Sequence, residues 1–188
     1  MTILVVGHEG ALVNLVPTKI AGCYRVQLEI LGDSRGYFTS VFDLETVRSV
    51  NPSFTVVRAS RSLTRPKGTI RGLHFQRPPK AEDKLVQCLE GAIFDVCVDI
   101  RPDSSTYLRW VGTELSAENK ELMLVPSGFA HGFQTLSENC VVEYFVTGHY
   151  SPSHEGGMRW DDPVIGIAWP LPCTLTSERD AAWPLVAR

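Results

Sequence analysis

The sequence predicts an all-β protein, a barrel or sandwich of many short strands with a few short helices. Three observations carry that expectation. Short apolar or alternating runs follow one another along the chain, separated by Gly, Pro, Asp and Ser. Only one stretch in the first half, next to Phe42, reads as a convincing helix. The clearest strand, Ala92 to Ile100, has one apolar face and one mixed face, which suits a barrel wall. At 188 residues, without an internal repeat, low-complexity tract or linker, the chain is expected to form one domain over residues 1–188.

Asp43 can cap a helix running through Leu44-Glu45-Thr46-Val47-Arg48-Ser49-Val50. The segment Arg71-Gly72-Leu73-His74-Phe75-Gln76 lies between Pro66-Lys67-Gly68 and Pro78-Pro79, both turn-forming, and reads as a short strand. Alternation places Leu73 and Phe75 on one face, His74 and Gln76 on the other. Imidazole titrates nearest neutrality, so a histidine on a polar inner face is a candidate base, although a lone strand histidine is more often structural. In the strand from Ala92, Phe94, Val96, Val98 and Ile100 share a face opposite Ile93, Asp95, Cys97 and Asp99. The second face is too polar for a dry core and too apolar for open water, as expected beside a ligand cavity. Asp95 is expected to face that cavity and Asp99, near the strand end, to meet water. Ser116-Ala117-Glu118-Asn119-Lys120 reads as a helical turn or loop between strands. In Pro126-Ser127-Gly128-Phe129-Ala130-His131-Gly132-Phe133, Pro and Gly build a tight turn and the next strand carries His131 inward.

Composition narrows the function classes. A net charge of −3 argues against a general nucleic-acid surface, though not against a phosphate-bearing ligand held by a few basic residues. No apolar run approaches the roughly 20 residues that span a bilayer, so no membrane association is expected. The start, Met1 to Glu9, lacks a basic region, and Glu9 interrupts it too early for a secretion signal. Cys23, Cys88, Cys97, Cys140 and Cys173 are odd in number and lack C-x-x-C spacing, so reduced thiols in a cytoplasmic protein are expected.

The P-x-G-x-x-H spacing from Pro126 to His131 is similar to the second motif of the cupin superfamily of small β-barrels. Further blocks extend the likeness: Gly32-Asp33-Ser34-Arg35-Gly36-Tyr37-Phe38, Arg71 to Gln76, Lys84-Leu85-Val86, Phe94-Asp95-Val96 and Trp110-Val111-Gly112. Leu115 to Lys120, Trp160-Asp161-Asp162-Pro163, Gly166-Ile167-Ala168-Trp169-Pro170 and Ser177-Glu178-Arg179-Asp180 follow. In this order, from about Ala21 onward, the chain resembles the dTDP-4-dehydrorhamnose 3,5-epimerase (RmlC-like) family of sugar-nucleotide epimerases. Met1 to about Leu15 falls outside the resemblance and suits an added strand, an arm on a partner subunit or a disordered segment alike.

The resemblance implies a cupin, or jelly-roll, β-barrel and epimerisation of a nucleotide-linked 4-keto-6-deoxyhexose at C3, C5 or both. The C–H bonds beside a 4-keto group are acidic because the carbanion delocalises onto oxygen. Inversion then needs a base on one ring face, an acid on the other and a cation at the oxyanion, with no redox cofactor or metal. By resemblance His74 is the base, Asp180 its carboxylate partner, Tyr144 the opposing acid and Lys84 the cation at the C4 oxygen. Arg35, Arg71 and Arg179 match positions at the nucleotide or its diphosphate; position 179 is usually lysine in the family. His131 belongs to the family site, with Asp95 expected to orient it, Tyr150 matches an aromatic stacked on the base, and Glu155 a further contact. Phe38, Arg58, Ser60 and Gln76 complete the expected substrate-binding set. A homodimer is implied through the barrel sheets and N-terminal segments.

Departures gather at the nucleotide end. Ser40 stands where the family usually has a glutamate that accepts a thymine hydrogen bond, Arg58-Ala59-Ser60 stands for Gln-x-Asn, and His149 replaces an aromatic. Cytosine presents an acceptor where thymine presents the N3 hydrogen, so a CDP- or GDP-linked sugar and a single-centre epimerase are alternatives. A metal-dependent cupin would need a His-x-His first motif, and position 76 is Gln. A non-catalytic binding protein would be expected to lack His74, Tyr144 or Asp180, and all three are present.

Overall fold

A computed structural model describes residues 12–186. Its elements run β1 (Val13–Pro17), β2 (Tyr24–Leu28), β3 (Leu31–Asp33), β4 (Gly36–Phe38), α1 (Leu44–Arg48), β5 (Arg58–Thr64), β6 (Ile70–Gln76) and β7 (Lys84–Glu90). Next come β8 (Ala92–Asp99), β9 (Trp110–Ser116), β10 (Leu122–Val125), β11 (Phe129–Thr135), β12 (Cys140–Val146), β13 (Glu155–Gly157) and α2 (Glu178–Ala181). A 3-10 turn, Pro152–His154, precedes β13. Two antiparallel sheets face one another, one ordered β1-β2-β10-β7-β12-β5 and the other β13-β6-β11-β8-β9, with β3 and β4 forming a separate hairpin. This is the expected all-β barrel of cupin type.

Strand alternation decides what enters the barrel. Val86, Cys88, Ile93, Cys97, Met123, Phe129, Phe133, Cys140 and Val142 meet between the sheets as an apolar core. Lys84, Asp95, His131 and Tyr144 share their parity on β7, β8, β11 and β12, so the same alternation turns them inward, and Tyr144 packs on this core. The outer face of the six-stranded sheet is covered by α1 and Phe54. The outer face of the other, with Val96 and Val98, is covered by Ile165, Ile167 and Trp169. The barrel is therefore covered on both outer faces.

Local signals explain several elements. Asp43 caps α1, accepting from the Thr46 N–H at 2.7 Å. Ser116 to Lys120 is a turn closed by reciprocal Ser116 and Asn119 side-chain hydrogen bonds, each 3.0 Å. Gly72 is required where β6 crosses β11: with φ +129°, a Cβ there would lie 2.6 Å from Gly132 Cα.

Two expectations need correction or completion. Asp99 does not meet water. It is fully buried, because the loop after β8 folds back and supplies donors from Arg101 Nη2 (2.7 Å), Ser104 Oγ (2.6 Å) and Thr106 Oγ1 (2.6 Å). Burial pushes its carboxyl pKa up, and these hydrogen bonds outweigh that and hold it far below the usual range. Of the stretch from Met1 to Leu15, residues 1–11 lie outside the described residues, while Val13–Leu15 belong to β1, antiparallel to β2. All five cysteines are free thiols. Among the described residues no helix is long and apolar enough to cross a membrane.

Candidate active site

A cavity of about 640 Å3 opens between the two sheets. His74 of β6 and His131 of β11 form one wall, and Lys84 of β7, Tyr144 of β12 and Ser62 of β5 the other. Arg71 and the segment from Leu175 to Asp180 close its rim.

Asp180 reaches His74 because of how α2 starts. Ser177 is the N-cap, accepting from the Asp180 N–H at 3.0 Å. An acid three residues after such a cap commonly turns back to the cap's own N–H. Here it turns into the barrel instead, accepting from Gly72 N–H at 3.1 Å and lying 2.7 Å from His74 Nε2. Burial raises the Asp180 pKa, but the hydrogen bonds from His74, Gly72 and Ser177 outweigh that and hold it below the ordinary carboxylate value. An ionised carboxylate can only accept, so Nε2 carries the proton and Nδ1 is the basic nitrogen of the neutral ring.

The opposite wall presents an acid and a cation. The Tyr144 hydroxyl is 3.3 Å from Ser62 Oγ, and its ring stands edge-on to His131 with centroids 6.5 Å apart. Burial keeps the phenol proton well above its usual range, so Tyr144 is a neutral proton donor at physiological pH. Lys84 is largely enclosed. Its side chain is 14% exposed, and burial lowers its pKa against the pull of Glu82, whose Oε1 is 3.7 Å away. His131 Nε2 lies 2.8 Å from Asp95 Oδ1, the orienting contact expected of that pair. Asp95 itself stands behind the histidine and does not line the cavity.

The remaining predicted residues divide by place. Arg71 lines the cavity, with Nε on Thr64 Oγ1 at 2.7 Å and Nη2 on the Leu63 carbonyl. Arg179 lines it too and pairs with Glu155 at 3.0 Å, and Tyr150 donates to the same carboxylate at 2.9 Å. Arg35 and Phe38 sit on the exposed β3–β4 hairpin, Ser60 is exposed and Arg58 faces Glu82 at 3.9 Å; none of the four lines the cavity. Gln76 is spent elsewhere: Oε1 accepts from Ser151 N–H at 2.6 Å, and Nε2 donates toward the Lys80 carbonyl, Glu82 and the His149 carbonyl. Ser62, Glu82 and Ser177 escaped the sequence reading. Ser62 could have been found two residues from Ser60 on the same strand face, and Ser177 as the cap of a Ser-x-x-Asp pattern.

A two-sheet barrel holding a carboxylate-backed imidazole opposite a neutral phenol and a buried ammonium is an isomerase of the epimerase type, built for moving protons at carbon. The comparisons agree with that class. The chain belongs to the dTDP-4-dehydrorhamnose 3,5-epimerase family, whose model matches residues 17–188. It is 49% identical over 154 residues to the dTDP-4-dehydrorhamnose 3,5-epimerase of Sinorhizobium fredii, covering 81% of this chain and 79% of that one. The Bacillus anthracis enzyme of the same name, solved with TDP and pyrophosphate bound, superposes with a TM-score of 0.88 at 39% identity, covering 93% and 99% of the two chains. The Legionella pneumophila 3,5-epimerase, solved in complex with dTDP-4-keto-L-rhamnose, gives 0.87 at 38% identity over 92% of each chain.

Proposed function

We propose that this chain epimerises a dTDP-linked 4-keto-6-deoxyhexose at C3 and C5. The observation that carries the reading is His74 on Asp180, facing Tyr144 and Lys84 across one cavity. In it, His74 Nδ1 removes the proton beside the keto group, and Asp180 stabilises the imidazolium that forms. The Lys84 ammonium takes the growing charge on the C4 oxygen, and the Tyr144 hydroxyl returns a proton from the opposite face. Arg71 and Arg179, which line the cavity, hold the diphosphate, with Tyr150 and Glu155 at the nucleotide end, a role supported by their contacts to each other and to Arg179.

The substrate assignment draws on the relatives' names and bound ligands. Ser40 and Arg58-Ala59-Ser60, in place of the family's glutamate and Gln-x-Asn, favour a second reading in which the nucleotide is CDP or GDP. We read the chain as one cupin domain, acting in the cytoplasm in deoxysugar supply for surface polysaccharide or natural products. We read it also as a homodimer, since the β3–β4 hairpin leaves Leu31 and Phe38 46% and 63% exposed, and a partner subunit would cover them. Proton NMR in deuterium oxide with dTDP-, CDP- and GDP-4-keto-6-deoxyglucose tests the reading. Exchange at both C3 and C5, fastest with dTDP, is expected. Exchange at one carbon makes it a single-centre epimerase, and none with any nucleotide overturns the reading.

A further inference from the structure

Lys84 enters the barrel with only one carboxylate within ion-pair distance among the described residues, and that carboxylate is braced from several sides. Glu82 is 8% exposed at its side chain, with Oε1 3.7 Å from Lys84 Nζ. Its Oε2 accepts from Gln76 Nε2 at 3.0 Å and faces Arg58 Nη2 at 3.9 Å. Gln76 is itself fixed by the Ser151 N–H and by the carbonyls of Lys80 and His149. Backbone closes on the same contact, since a Cβ on Gly148 would come within 2.9 Å of Glu82 Cβ and 3.3 Å of its Oε2. A merely solvated acid would need none of this bracing.

We propose that Glu82 is a positioning residue: the counter-ion that keeps the Lys84 ammonium charged and directed at the cavity, with Gln76 and Arg58 holding Glu82 in turn. The inference rests on the reading of Lys84 as the cation at the enolate oxygen. An amine in a low-dielectric barrel loses its proton unless an anion compensates, and a neutral amine stabilises an enolate poorly. The other groups facing Lys84 leave that role to Glu82. Asp95 of β8 exerts a weaker attraction and gives Oδ1 to His131. Cys97 of β8 is kept neutral as a thiol by burial. From β6, β11 and β12 the cavity presents Arg71, His74, His131 and Tyr144, none of them an anion, and the Asp180 carboxylate of α2 is committed to His74 and the Gly72 N–H.

The test is E82Q, which keeps size and the contact to Gln76 while removing the charge. NMR titration of the 15N-labelled Lys84 ammonium reads the pairing directly, whether or not a substrate is known. Its pKa is expected to fall by about one to three units in E82Q, because an opposite charge at this range shifts a pKa by that much. The basic limb of kcat/KM for C–H exchange should fall in step, while the rate near pH 6 stays within a few-fold of the parent. Should E82Q not fold, E82D is expected to give a smaller fall in the same direction. An unchanged Lys84 titration overturns the proposal, as does a loss of rate equal at every pH. If Lys84 titrates as expected but no 4-keto sugar exchanges, the ion pair stands and the functional reading fails.

Discussion

His74 and Asp180, 106 residues apart in the chain, meet at 2.7 Å, and the same carboxylate receives the Gly72 N–H at 3.1 Å. One acid thus holds both the ring and the backbone beside it. Asp180→Asn should lower kcat for exchange by about 10²- to 10⁴-fold, the range for a general base, since an amide can donate to Nε2 and select the wrong tautomer. The parent's stability advantage over this variant has a definite pH course. The Asp180 pKa is depressed on folding, so its contribution is complete above the unfolded value of about 3.9 and disappears as pH falls through the lower folded value. Denaturant unfolding of both proteins from pH 7 to below pH 3 checks this; a gap that does not narrow below about pH 3.9 contradicts it.

Tyr144→Phe separates the two halves of the reaction. In the proposed roles the base His74 remains, so deuterium should still enter the substrate, while inversion falls by about 100-fold or more for want of the opposing acid. Ser62→Ala, which removes the hydroxyl 3.3 Å from the phenol, should give a smaller loss of the same kind. Burial raises the Tyr144 pKa, so no loss of activity up to about pH 10 should come from its ionisation. Equal retention of exchange and inversion in Tyr144→Phe would require another acid.

These residues differ in how far the sequence reveals them. Period-two alternation in Ala92–Asp99 assigns Phe94, Val96 and Val98 to a covered face and Asp95 to the interior, because alternation is local and sheet geometry obeys it. Alternation cannot say what occupies the space ahead of a side chain. Asp99 therefore reads as wet from the sequence, although the loop carrying Arg101, Ser104 and Thr106 encloses it. Gln76 shares the parity of His74 as expected, yet meets Glu82 and the backbone of Ser151, which caps the 3-10 turn. The His74–Asp180 pair has no local signal at all and is legible only through resemblance to a family.

Asp99 is the stability counterpart of Asp180. Asp99→Ala removes the acceptor of three donor side chains and should cost about 2–4 kcal/mol by denaturant unfolding, with exchange activity of the folded fraction kept. Its pKa too is depressed on folding, so the cost should be complete at neutral pH and shrink as the solution is made acidic below about pH 4. A cost below about 1 kcal/mol would mean that water replaces the carboxylate at no penalty.

Two glycines with similar φ should respond very differently to alanine. Gly36, in the β3–β4 hairpin, has φ +136° and nothing within 4 Å of where an alanine methyl would stand, so Gly36→Ala should cost only backbone strain of about 1–3 kcal/mol. Gly72 has φ +129° as well, but its Cβ would lie 2.6 Å from Gly132 Cα and 2.9 Å from the His131 carbonyl oxygen. Both are backbone atoms of β11 and cannot swing aside, which adds about 1–3 kcal/mol of overpacking. Displacing β6 also moves the Gly72 N–H off Asp180 and His74 away from its carboxylate. Gly72→Ala should therefore lose both stability and exchange activity, and Gly36→Ala stability alone. Paired denaturant curves and deuterium exchange rates check this, and equal behaviour of the two variants would show that β6 and β11 can part without disturbing the catalytic pair.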